Sequence, residues 1–271
     1  MTASPGFGAA LGRLLAHRGT GVQELAGRAG VSADEVRAVL ARRPPGEALI
    51  RALADALDLH AVDLFVLAGV EVPDDTAPLD AEAAAWVPHI VRDAVHLPPT
   101  GRSELLRLIR SLPREERSSR FTPKDRTPLA EGPGGRLIRM FRYRNLNRTG
   151  LAHALAVVTP TYLSASTYGV IGAGEQELTP RPVTDFAALL GIGAGDLAAL
   201  TGVRLPERPG PAASEAVDAA ALLWAGRGLS AAQARTVAEV ARSLRGDPSV
   251  EYRINLPGWP AETTDGTPAA S

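Results

Sequence analysis

Apolar positions recur along this chain at spacings of three and four, the period of a helix laid against a core. Leu11, Leu14 and Leu15 open the pattern, which stops at Gly19. Leu25 and Ala26 mark a second short helix ending at Ala29-Gly30, a natural C-cap. "VSADEV" starts a third, with Ser32 as N-cap and Glu35 three residues on completing a capping box. Two more helices follow over about 47–59 and 61–69.

The same positions return downstream. Leu11, Leu14, Leu15, Arg18, Leu25 and Ala26 match Leu137, Met140, Phe141, Arg144, Leu151 and Ala152, each at an offset of 126. Residues 49–70 lie on 182–203 at an offset of 133, with Asp63 over Asp196 and Gly69 over Gly202. The seven extra residues fit a loop inserted around "YGVIGAGEQELTPR". A weaker match at offset 132 sets Leu105, Leu108 and Leu112 over Val237, Val240 and Leu244, each preceded by a tryptophan-bearing segment (Trp86, Trp224). The pattern predicts an all-α chain of two tandem five-helix domains, 7–70 and 135–203. Each is followed by a helical hairpin, 79–112 and 214–246. A linker rich in Pro, Gly and charge occupies 113–134. The aperiodic tail 247–271 reads as mostly disordered.

Composition narrows the function classes. Hydrophobic residues are 45% of the 271, but aromatics only 4%, so the cores are built mainly from Leu, Ala and Val, which favours helix over sheet. Without cysteine there is no disulfide and no thiolate metal site. The N-terminus lacks a signal-peptide pattern, and no apolar run approaches the roughly 18 residues of a membrane span, so a cytoplasmic protein is expected. The histidines (His17, His60, His89, His96, His153) show no metal spacing. "GIGAGD" (191–196) aligns with "DLHAVD" of the first copy, and "YGVIGAGEQ" lacks the Lys-Ser/Thr of a P-loop. No cofactor, metal or enzymatic activity is therefore expected.

Charge is unevenly placed. The net charge is -1, yet residues 71–96 carry -5 and residues 97–150 carry +8. "RLIRMFRYRNLNR" (136–148) holds five arginines and no acid. Either this block meets an anionic partner, or the acidic and basic blocks attract each other inside the fold.

Helix, helix, Gly-containing turn, helix is the order of a helix-turn-helix. Through all five helices "LGRLLAHRGTGVQELAGRAGVSADEVRAVLARR" and its continuation resemble the lambda-repressor-like, or Xre-type, DNA-binding family, including its actinobacterial members. In the second copy "VVTPTYLSAS" resembles that family's turn into its recognition helix, with Thr159 as N-cap and Pro160 as the first helical residue. The resemblance implies a transcriptional regulator on double-stranded DNA, working as a homodimer or as an intramolecular pseudo-dimer. Its recognition helix enters the major groove. In the first copy Ala33, Asp34, Arg37 and Ala38 would face bases, Arg37 reading guanine and Asp34 accepting from cytosine. Val22 stands where the family usually has a phosphate-contacting Gln. In the second copy Thr161, Tyr162, Ser164 and Ala165 are the base-reading candidates. Arg136, Arg139, Arg142, Arg144, Arg148 and Thr159 are the phosphate candidates, behind Asn147 as N-cap. Arg144 also aligns with Arg18, which marks it as a possible shared structural residue; Tyr143 and Met140 read as packing. On this reading the second copy dominates backbone contacts. The alternative is a protein-interaction scaffold or anti-repressor that keeps the fold without the contacts. No sensor domain for a small-molecule effector is identifiable.

Overall fold

The computed structural model describes residues 6–206 and 210–245, and among them every regular element is helical. The predicted tail lies outside the described residues. A first unit comprises α1 (Phe7–Arg18), α2 (Val22–Ala29), α3 (Ala33–Leu40), α4 (Glu47–Leu57) and α5 (Ala61–Ala68). A 3-10 turn (Ala81–Ala85), α6 (Val87–Ala94) and α7 (Pro99–Ser111) follow it. The second unit holds α8 (Pro133–Arg142), α9 (Arg148–Val158), α10 (Ala165–Ala173), α11 (Pro180–Leu190) and α12 (Ala194–Thr201). It leads into α13 (Ser214–Gly226) and α14 (Ala231–Leu244). No helix among the described residues is long and apolar enough to cross a membrane.

Local chemistry sets the helix ends. Ser32 Oγ accepts from the Glu35 amide at 3.2 Å while Glu35 Oε2 accepts from the Ser32 amide at 2.9 Å, closing the expected capping box. Asn147 caps α9 by accepting from the Gly150 amide at 2.8 Å. Left-handed residues end the helices at corresponding places in the two units: Gly19 and Asn145, Arg42 and Gly174, Asp58 and Gly191, Gly69 and Gly202. Gly30, left-handed at φ 65°, has no counterpart, because α9 runs on through that place. This corrects the position of the insertion. Most of the extra residues lengthen α9 and the α9–α10 loop, whereas "YGVIGA" lies inside α10.

Both units bring their first helix very close to their third. A Cβ on Gly8 would meet the Val39 carbonyl oxygen at 2.1 Å, and one on Gly134 would meet the Ile171 carbonyl oxygen at 2.4 Å. Only glycine permits that approach.

The units join reciprocally: α1 packs on α12, and α8 packs on α5. Arg18 reaches across to Asp196 at 2.7 and 3.0 Å, while Arg144, its sequence counterpart, reaches back to Asp63 at 2.7 Å on both oxygens. The hairpins also cross, α6 on α14 and α7 on α13, where Arg102 holds Asp218 at 2.6 Å. The linker is pinned along its length. Arg117 donates to the carbonyls of Asp74, Ala77, Pro78 and Leu79. Arg120 pairs with Glu71, and Lys124 with Glu82. The acidic and basic blocks therefore meet within the chain.

Candidate nucleic-acid interface

The arginine-rich stretch turns inward. Arg144 is 1% exposed and its bidentate partner Asp63 is fully buried, so the expectation that Arg144 contacts phosphate is overturned. A guanidinium so enclosed and already neutralised cannot reach a ligand without breaking the core. Arg142 donates to the Thr127 carbonyl at 2.7 Å and pairs with Asp125 at 3.3 Å. Arg148 pairs with the same carboxylate at 3.1 Å, and its guanidinium lies along α10 beside Gly169. Burial alone would raise the Asp125 carboxyl, but bonds from Thr127 and the two guanidiniums hold it below its usual range. Arg139 pairs with Glu131 at 3.2 Å. Burial pushes the guanidinium pKa of both Arg136 and Arg142 down.

The turn of the second unit also departs from expectation. Thr159 is not an N-cap: it ends α9, its hydroxyl donating to the Leu155 carbonyl at 2.9 Å. Pro160 is not helical either. Proline disfavours a helical residue before it, so "VVTP" closes one helix instead of opening the next. Thr161 is 5% exposed and accepts from Arg181 Nε at 2.6 Å; the buried Tyr162 hydroxyl has no partner among the described residues. Neither residue is placed to read bases. Ser164 is the N-cap of α10, accepting from the Thr167 amide at 3.3 Å, and Ala165 is the first helical residue. Behind them α10 buries Tyr168, Gly169, Ile171 and Gly172. α6 lies against α9, bringing Pro88 onto Gly150, and the Ala130 amide of the linker donates to the Gly172 carbonyl at 2.9 Å.

The first unit keeps a short turn, Gly30-Val31-Ser32, between α2 and α3. These helices pack mainly on each other and on α1 and α4, and their outer face is exposed. Val22 is partly buried against the core. Asp34, Glu35 and Arg37 are exposed, Ala33 and Ala38 half-buried. Arg37 pairs with Asp34 at 2.6 Å, but both side chains are open to solvent, at 53% and 91%. The capping bonds of Ser32 hold the Glu35 carboxyl below its usual range. Arg28, Arg42 and Arg43 are exposed and have no ion-pair partner among the described residues. Arg42 follows α3 in the left-handed region at φ 72°. Sequence reasoning passed over "ARRPPG" because the first seventy residues balance in charge and the denser arginines lie elsewhere.

No group of three metal-binding side chains occurs among the described residues. Comparison with family models, with curated proteins and with solved structures finds no match to this chain.

Proposed function

We propose that this chain is a DNA-binding regulator that reads duplex DNA through α2 and α3 of the first unit. The second unit, a diverged copy on this reading, is its covalent buttress. Of the base-reading candidates that the resemblance to lambda-repressor-like proteins offers in both copies, those of the first remain, and the dominant backbone contacts pass from the second copy to the first. The observation that carries it is Arg42. A non-glycine residue held left-handed costs roughly 1 kcal/mol. The Arg42 and Arg43 amides donate to the Val39 and Ala38 carbonyls at 2.9 Å and close α3, but the Arg42 side chain is exposed with no ion-pair partner among the described residues. Beside it the Arg43 side chain is equally exposed and has no ion-pair partner among the described residues. Both follow the recognition helix directly, where cations neutralise the backbone that flanks the groove. In the groove Arg37 would exchange Asp34 for the O6 and N7 of guanine. Releasing an exposed pair costs about 1 kcal/mol or less, against about 1–3 kcal/mol of discrimination.

The test is selection of genomic fragments by the full chain, followed by footprinting of the enriched sequence. Arg37→Ala is then expected to relax preference at one base pair while leaving its neighbours unchanged. A second reading, a protein-interaction scaffold, is favoured by the exposed Asp34 and Glu35 at the front of α3, which repel phosphate. Failure to enrich or footprint any fragment puts that reading first.

A further inference from the structure

A cavity of about 860 Å³ opens where three segments meet: residues 74–79 after the first unit, the end of α7 running into the linker, and the turn between α13 and α14. That size suits a small organic molecule. Its apolar wall includes Ile109, Leu112, Ala225 and Leu229. Its cationic end is Arg227, whose guanidinium lies 3.5 Å from the ring centre of Trp224 and donates to the Thr76 carbonyl. The two most deeply buried guanidiniums, Arg144 and Arg102, each hold a carboxylate; Arg227 holds none. Burial and the nearby Arg144 and Arg114 push its pKa down to about 10, so its charge is costly where it stands.

We propose that this cavity binds a small amphipathic monoanion, its apolar body on the Ile109–Leu229 wall and its carboxylate on Arg227. The acidic residues of the rim limit the ligand's charge. Asp75 is engaged by Arg51 and Asp74 lies beside Arg120, while the exposed Glu115 and Glu116 offset the exposed Arg110 and Arg114 of the same rim, so the site suits a single negative charge. The site is independent of the DNA-binding proposal.

The probe is 2-naphthoate, titrated calorimetrically into the full chain near 0.15 M salt with neutral 2-naphthamide as its match. A charge-assisted contact predicts roughly tenfold or better preference for the acid. Arg227→Gln should abolish the preference and Arg227→Lys should retain part of it. Ala225→Trp, which fills the wall and leaves the charge, should weaken acid and amide alike by about tenfold. Circular dichroism and urea midpoints establish that each variant is folded. Absence of saturable naphthoate binding, equal affinity for acid and amide, or an undiminished preference in folded Arg227→Gln would each overturn the proposal.

Discussion

Arg42 and Gly174 occupy corresponding left-handed positions, one in each unit. Glycine takes that conformation freely and arginine does not, so Arg42→Gly is expected to stabilise the chain by about 1 kcal/mol in urea unfolding. The same change should weaken DNA binding, a trade-off that a purely structural Arg42 would not show. The two cross-unit pairs differ in burial, and their loss should differ accordingly. Asp63→Ala leaves Arg144 buried without a counter-ion, held only by the Met140 and Leu190 carbonyls, for a loss of about 3–5 kcal/mol. Asp196→Ala frees an Arg18 that is partly solvated and also bonded to the Leu57 carbonyl, for about 1 kcal/mol, both read from urea midpoints. His60 stacks on Trp224 with ring centres 3.3 Å apart, and burial is the main cause lowering its pKa to about 4. The unfolded chain then binds the extra proton between about pH 6.5 and 4. The stability this ring contributes is complete above 6.5 and is lost as pH falls through that window. The loss is about 1–2 kcal/mol, after discounting for the ring's partial exposure. His60→Phe, which keeps an aromatic stack, should lose that much less stability than wild type between pH 6.5 and 4. His89, His96 and His153 shift in the same direction and leave a residual slope in both proteins.

Helices declare themselves through caps and close contacts. The starts of α3 and α9 were legible because Ser32, Glu35 and Asn147 act on amides within three residues of themselves. The α9–α10 connection was not. "TP" suits the first turn of a helix as well as an extended exit from one, and the choice fell to tertiary packing, with Arg181 holding Pro160 and Thr161 in the loop. Nor did periodicity mark Gly8 and Gly134, since their role depends on a third helix crossing at Val39 and Ile171, well beyond any local spacing. Gly→Ala in a helix ordinarily stabilises by about 1 kcal/mol. At Gly134 the added methyl would collide with a backbone carbonyl, so the sign should reverse to a loss of about 1–3 kcal/mol in urea.

Across the whole molecule the all-helical class was readable from the apolar periodicity. The fate of the arginines was not, because sequence counts charges without saying which ones meet. Arg144 finds its acid 81 residues away, and Asp125 draws Arg142 and Arg148 together from two different helices. A basic block that looked like a ligand surface is largely the counterpart of the chain's own carboxylates. The face left open belongs to the unit whose charge is balanced. The most direct test of that exchange is the slope of log affinity against log salt on duplex DNA. Each phosphate-bound cation contributes about 0.9 to it. A reading face on the first unit predicts that Arg42→Gln with Arg43→Gln flattens the slope by about 1.8, while folded Arg139→Gln with Arg142→Gln and Arg148→Gln leaves it unchanged. The reverse pattern, or a slope indifferent to Arg42 and Arg43, would contradict it.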